Sequence, residues 1–416
     1  MTDNIQDRLD CAIVGGGIHG TYLANRLLEE SPLGPANVAI FDPHEQLLES
    51  FRRKARRCGM ETLRSTFVHH VGTDSFGLES FAERHGRTDE LVETVDYPPR
   101  PSLDLFLAYA DEVIASAGLD SCHRQCRVES ICPTEEGGFV METANETVVA
   151  DSCVLAIGHG GRYSRPDWAQ GLDDAVHVWG GFDPERSVDR TLIIGGGITA
   201  GQLACTLSES ETVGLVTRHA LEWEVSEAAP PWINWSRIES ELHAHPPGSK
   251  ERLEVATNAR NDASMPPYMY AKLDTRIDEG ALVIENGEIA TAERQDGGIA
   301  LSIRHGRDLV GDRVVFATGF EPVFDHPFVE QIAEDCSLAR GHAGMALLDD
   351  ETLAWRHEEG ELSNLFVTGA LALGTVGPYA PNIPGARRAA DRIVPALTGS
   401  RERDERTLAK TPTESD

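Results

Sequence analysis

Six residues, Gly15-Gly16-Gly17-Ile18-His19-Gly20, constrain this chain more than any other feature because of what stands on either side of them. Leu9-Asp10-Cys11-Ala12-Ile13-Val14 precedes them as a short apolar strand candidate. Tyr22, Leu23, Leu27 and Leu28 follow at three- and four-residue intervals, the recurrence of a helix. After the breaker-rich Ser31-Pro32-Leu33-Gly34-Pro35 comes a second strand candidate, Val38-Ala39-Ile40-Phe41, ending at Asp42. Strand, glycine turn, helix, strand is one βαβ unit.

Each glycine has a separate task. Gly15 makes the tight strand-to-helix turn, Gly17 removes a side chain where a pyrophosphate approaches, and Gly20 lets helix and strand pack closely. Ile18 and His19 open the helix, whose free N–H groups attract phosphate. Asp42 is placed to accept hydrogen bonds from a ribose diol. The alternative is a glycine-rich turn without a ligand.

The same grammar returns 180 residues on, from Gly15 to Gly195. Thr191-Leu192-Ile193-Ile194 leads into Gly195-Gly196-Gly197-Ile198-Thr199-Ala200-Gly201, then an apolar helix and the strand Val213-Gly214-Leu215-Val216, ending at Thr217-Arg218. That spacing suits two nucleotide-binding domains better than a solenoid. Ala200 stands where the third glycine would be. An acid at position 218 would repel a 2′-phosphate, whereas Arg218 can pair with it, which points to NADPH at this second site. Arg218 can also be read as an ordinary surface arginine.

Three further apolar runs lead into a glycine turn: Cys153–Gly158, Arg313-Val314-Val315-Phe316-Ala317-Thr318-Gly319, and Leu365-Phe366-Val367-Thr368-Gly369-Ala370. Each reads as a buried strand whose glycine lets the backbone turn close to a ligand, making Gly158, Thr318, Gly319, Gly369 and Ala370 candidate cofactor contacts. The segment 221–265, with three tryptophans and a polar second half, reads as irregular structure and helix beside the second nucleotide domain. A helix is expected from about 386 to 397, and a disordered tail over 401–416.

Composition narrows the partners. Lys+Arg 37 against Asp+Glu 68 gives a net charge of −31, and lysine occurs only at 54, 250, 272 and 410. So acidic a surface repels itself until salt screens it, so the chain reads as halophilic, with a merely acidic mesophile protein as the alternative. Nucleic acid is not expected, since no basic stripe is visible. No apolar run approaches the ~20 residues that span a bilayer, and the polar N-terminus lacks the marks of a signal peptide, so a cytoplasmic location is expected. Eight dispersed cysteines show no zinc-site spacing, and no metal is expected. Cys122 and Cys126 are four apart, unlike a C-x-x-C redox pair, although disulfide exchange there stays open. A homo-oligomer is compatible with everything above.

With both units placed, residues 9–395 resemble the two-dinucleotide-binding-domain flavoproteins, and among them the flavin-containing, N-hydroxylating (lysine/ornithine-type) and Baeyer–Villiger monooxygenases. The two glycine turns carry the resemblance, with Ala317-Thr318-Gly319-Phe320, similar to the family's A-T-G-F/Y motif, and Arg100-Pro101-Ser102-Leu103-Asp104-Leu105-Phe106. Cys58-Gly59-Met60-Glu61-Thr62-Leu63-Arg64-Ser65 looks like the flavin-side loop of FAD/NAD(P)-binding proteins related to the N-hydroxylases. The F-x-G-x-x-x-H fingerprint is not present in clean form, His177 being its nearest match. The resemblance implies FAD at the first turn and NADPH at the second, oxygen adding at flavin C4a to give a peroxyflavin, and a small amine or amino-acid-like substrate. Rival readings are an NAD(P)H-dependent reductase or dehydrogenase with a quinone, disulfide or protein acceptor, and a nucleotide-binding redox sensor with little turnover.

Three side chains are candidates beside the flavin. Arg64 could stabilise an anionic flavin, bind a substrate carboxylate or merely pair with nearby acids. His70, with His69, could shuttle a proton or serve structure, and Asn382, in the Gly/Pro-rich approach to the last helix, could hydrogen-bond the ring. The expected fold class is α/β, with two Rossmann-like three-layer nucleotide-binding domains: an FAD domain from 1–165 and 310–400, and an NADPH domain, 166–309, inserted between its two parts.

Overall fold

The computed structural model of the chain describes residues 8–94, 97–172, 174–295, 297–304 and 306–408, the stretch 400–408 by its backbone alone. Leu9–Val14 lies inside a sheet of order Ala354–Arg356, Leu362–Val367, Thr147–Leu155, Leu9–Val14, Val38–Asp42, His123–Gln125. Every neighbouring pair is parallel except the first, which is antiparallel. A parallel sheet is covered on both faces, and these strands accordingly read as nearly unbroken apolar runs. Thr147–Leu155 does double duty: its first half also pairs with the antiparallel Val128–Pro133 and Phe139–Thr143 meander. Helix Ile18–Glu30 packs against the last helix, Ile383–Leu408, through Tyr22, Leu23, Leu27, Ala386, Ala390 and Ile393.

A second sheet is entirely parallel, in the order Leu282–Asn286, Thr212–Thr217, Arg190–Ile194, Arg313–Phe316, Ala175–His177. Helices Ile198–Leu207 and Tyr268–Asp278 cover one face, and the antiparallel ribbon Ile289–Gln295, Gly298–Ile303, Leu309–Gly311 covers the other with Ile299, Leu301 and Ile303. The α/β layering expected from the sequence is therefore present in both halves.

Three expectations need correction. Arg313–Phe316, counted with the first domain by a boundary at 310, pairs with Thr191–Ile194 in the second sheet, and the chain crosses back only after Phe320. An apolar parallel strand carries no local mark of which sheet it joins. The segment 221–265 packs on the first domain as well as the second: Arg252, 1% exposed, forms a two-pronged ion pair with Asp350 (2.6 and 2.8 Å), and Trp232, Ile238 and Leu242 close around Tyr379. The tail expected to be disordered from 401 is helical as far as Leu408, while 409–416 lie outside the described residues. Arg401-Glu402-Arg403-Asp404-Glu405-Arg406 holds no Gly or Pro and mixes charges at helical spacing, which favours continuing the helix.

Candidate functional site

Both glycine turns sit at the carboxyl ends of parallel strands, where strand order reverses and open α/β sheets bind their ligands. In the first, Gly15 has φ +114, and a Cβ there would overlap the Ala156 carbonyl oxygen of the neighbouring strand; a Cβ on Gly20 would overlap the Gly15 carbonyl. Gly17 differs. Its backbone is ordinary (φ −77), and a Cβ would meet nothing within 4 Å. Neither strain nor packing calls for a glycine there; the face is open beside the start of helix Ile18–Glu30, whose first N–H groups have no partner within the helix.

Asp42 is buried, and its carboxylate braces the turn. It accepts from Gly16 N (2.7 Å) and His44 N (3.0 Å) and lies 2.6 Å from His44 Nδ1. His19 Nδ1 and Thr368 Oγ1 share a 2.8 Å hydrogen bond, and Nε2 is buried without a partner among the described residues. Burial pushes His19 down to about 4, against the pull of the Asn382 and Pro381 backbones, so it is neutral near pH 7. Gly369 (φ +80) and Gly158 (φ +60) stand opposite each other beside His19 Nδ1. The structure thus brings together Gly15, Gly17, Ile18, His19, Gly20, Gly158, Gly369, Ala370 and the approach to the last helix.

The second turn repeats the first. Gly195 has φ +148, and its Cβ would stand 2.5 Å from the carbonyl oxygen of Ala317, as Gly15 faces Ala156. Ala200 is fully buried, and close packing falls to Gly201, whose Cβ would stand 2.6 Å from Met265 Sδ. Gly197 caps helix Ile198–Leu207. Arg218 is exposed beyond the end of strand Thr212–Thr217, its guanidinium without a hydrogen-bond or ion-pair partner among the described residues.

Thr318 and Gly319 follow Ala317, whose carbonyl oxygen faces Gly195. They belong to a double crossover between the domains, in which Thr318 Oγ1 donates to Ser164 O, Ser164 N donates to Gly319 O, and Tyr163 bridges Phe320. The Lys54 ammonium sits over this crossover, 5.4 to 5.9 Å from the ring centres of Phe320, Trp179 and Tyr163. Burial lowers its pKa. Three π faces offset part of that desolvation.

Arg64 reaches across to the second domain. It donates to the backbone oxygens of Glu224 (2.7 Å), Val225 (3.4 Å) and Ser226 (3.0 Å) and to Ser264 Oγ (2.9 Å), clamping the second domain to the first. Arg100, 1% exposed, joins the clamp at Val225 O. His70 is fully buried, with Nδ1 accepting from Gly72 N and Nε2 3.2 Å from Ser75 O, so both ring nitrogens are spent within its own loop. His69 is likewise held down to about 4 by burial and then by Arg387. Asn382 stands directly before the last helix, and its Oδ1 accepts from Arg260 of the second domain (3.3 Å). Sequence reasoning missed Arg260, Lys54 and the Arg252–Asp350 pair. Their partners are more than a hundred residues away, apart from Asp350 at 98, and only the scarcity of lysines marked Lys54.

Residues 12–160 match a protein family described as FAD-NAD(P)-binding. No curated protein matches by sequence. Among solved structures, the ornithine N-hydroxylase of Kutzneria sp. 744 is 17% identical, with 96% of this chain and 100% of that one covered at a TM-score of 0.75. The L-lysine 6-monooxygenase of Pseudomonas syringae is 19% identical over 94% and 99%, at 0.71. The bacillithiol disulfide reductase of Bacillus cereus is 16% identical over 95% and 100%, at 0.61. Over almost its whole length, the chain has the two-domain α/β fold of these N-hydroxylating flavoproteins and of related flavoprotein reductases.

Proposed function

We propose that this chain is an FAD- and NADPH-dependent oxidoreductase, and that it acts as a monooxygenase of a small amine or amino-acid-like substrate. One observation carries the reading: Gly15 against Ala156 and Gly195 against Ala317 are the same construction built twice, once in each parallel sheet. Two dinucleotides have two matching seats. The sheet containing Leu9–Val14 takes FAD and the sheet containing Arg190–Ile194 takes NADPH. The ornithine and lysine hydroxylases of the same fold favour oxygenation.

The residues fit the cofactors. The open face at Gly17 admits the FAD pyrophosphate to the start of helix Ile18–Glu30, and Gly158 and Gly369 leave room beside it. The positive end of helix Ile383–Leu408 and the Asn382 amide just before it would serve the flavin ring. Arg218 supplies the cation for the 2′-phosphate of NADPH. The chemistry these groups would supply when bound is hydride transfer from nicotinamide to flavin and reaction of the reduced flavin with oxygen. The protein's share is placement and exclusion of water, and His19 and His159, both held at about 4 by burial, add no charge to the site at neutral pH.

The disulfide-reductase alternative finds no support in the thiols. Burial pushes Cys58, at the domain junction, up to about 12, and raises Cys122 and Cys126 too, whereas an exchanging thiol needs a low pKa. Among the described residues no helix is long and apolar enough to cross a membrane, and a cytoplasmic, high-salt setting is part of the proposal. The test offers the FAD-loaded protein NADPH, oxygen, and ornithine, lysine or cadaverine, and measures hydroxylated product per NADPH consumed. A product from one of them supports the reading. Substrate-independent NADPH consumption with ready quinone reduction overturns it in favour of a reductase.

A further inference from the structure

The turn after helix Lys250–Asn258 touches the surroundings of both glycine turns. On one side, a Cβ built on Gly197 would lie 3.6 Å from Ala263 Cα, and one built on Gly196 would lie 3.6 Å from Ala263 O. The Ala263 backbone therefore lies across the second phosphate turn, where Gly17 has open space at the first. Ala263 holds this place at φ +57, a left-handed conformation that an L-residue adopts at a cost.

On the other side, Arg260 reaches into the first domain. Its Nη1 donates to Pro378 O and to Asn382 Oδ1. A guanidinium has only donors, so the amide oxygen of Asn382 faces Arg260 and the NH2 group points away as a donor. His19, in the first glycine turn, lies beside the Pro381–Asn382 backbone. Gly197, Ala263, Arg260, Asn382 and His19 thus form one contiguous series from one turn to the other.

We propose that Arg260 is a positioning residue that couples occupancy of the second glycine turn to the orientation of Asn382 on the flavin side. The inference rests on the two-nucleotide reading above. A phosphate settling against Gly197 must repack Ala263. The turn is short and tethered, by Asn261 N to Glu227 O and by Arg64 to Ser264 Oγ, so the shift passes to Arg260 rather than being absorbed. Asn382 then presents its amide differently before any hydride moves. The coupling is reciprocal, so a bound flavin also alters the seat of the coenzyme.

The experiment titrates the FAD-loaded full chain with NADP⁺, which binds without reducing, and reads the visible flavin difference spectrum alongside NADP⁺ affinity by calorimetry. Wild type gives a saturable spectral change. Arg260→Ala keeps NADP⁺ affinity within about threefold but loses most of that change; Asn382→Ala does the same, and the double variant loses no more, as expected of coupled residues. If Arg260→Ala does not fold, Arg260→Lys keeps the cation without the fork and loses at least roughly half the change. A full-sized change in the folded Arg260 variant at saturating NADP⁺, or an additive double variant, overturns the proposal. So does wild type that binds NADP⁺ with no flavin response, which leaves the two-nucleotide reading standing. Wild type that binds FAD but no NADP⁺ overturns that reading, and the coupling with it.

Discussion

The Ala156 carbonyl oxygen stands so close to Gly15 that no side chain fits between them, while Gly17, two residues on, faces open space. One glycine serves the fold, and in the proposed reading the other serves a ligand. Gly15→Ala is therefore expected to destabilise the apoprotein. Gly17→Ala should leave its melting temperature within about 2 °C and weaken FAD at least roughly tenfold, because the methyl enters the space the pyrophosphate needs. Thermal melts of the apoproteins and fluorescence titration with FAD separate the two. Equal melting temperatures for both variants would contradict the assignment.

This division also explains what was legible in the sequence. A strand, a strained glycine and a helix start are local, so both turns, Asp42 and Arg218 could be placed from the sequence alone. Arg64, His70 and Asn382 were found as unusual residues, but their partners were not, because those partners are backbone carbonyls and an arginine brought in by tertiary folding. The strand Arg313–Phe316 was recognisable as a buried strand, yet nothing local says which of two parallel sheets it joins. Segment 221–265 lacked a clean period because its side chains face two domains at once.

Arg64→Ala should loosen the domain junction without touching a cofactor. It removes donors from three backbone carbonyls and Ser264, and a loss of about 1–3 kcal/mol is expected. Urea unfolding measures it. The visible spectrum of bound FAD should not move, and a clear spectral shift would restore Arg64 as a flavin contact.

Five histidines set a pH dependence. Burial holds His19, His69, His70, His159 and His177 at about 4, below the ordinary 6.5. The unfolded chain therefore takes up more protons than the folded one once pH falls below 6.5. Their stabilisation is complete above that value and shrinks as pH falls toward 4. Relief of the net charge of −31 opposes this, but carboxylates titrate mostly near ~4, under the window. The urea midpoint should drop from pH 7 to pH 5 at constant high salt. A flat or rising profile would contradict the neutral, buried imidazoles.

The same net charge predicts a salt requirement. Self-repulsion among 68 acidic side chains against 37 basic ones is screened as ionic strength rises. The melting temperature should climb steadily from dilute buffer to molar KCl. No change would favour an ordinary acidic protein over a halophilic one.

The most direct test of the central claim is anaerobic rapid mixing of the FAD-loaded protein with NADPH or NADH in high salt, following the visible flavin band. The account predicts bleaching by both, with a much lower apparent Kd for NADPH, and Arg218→Ala bringing the two coenzymes together. If neither bleaches the flavin, there are not two communicating nucleotide sites; if Arg218→Ala weakens both equally, the arginine does not read the 2′-phosphate.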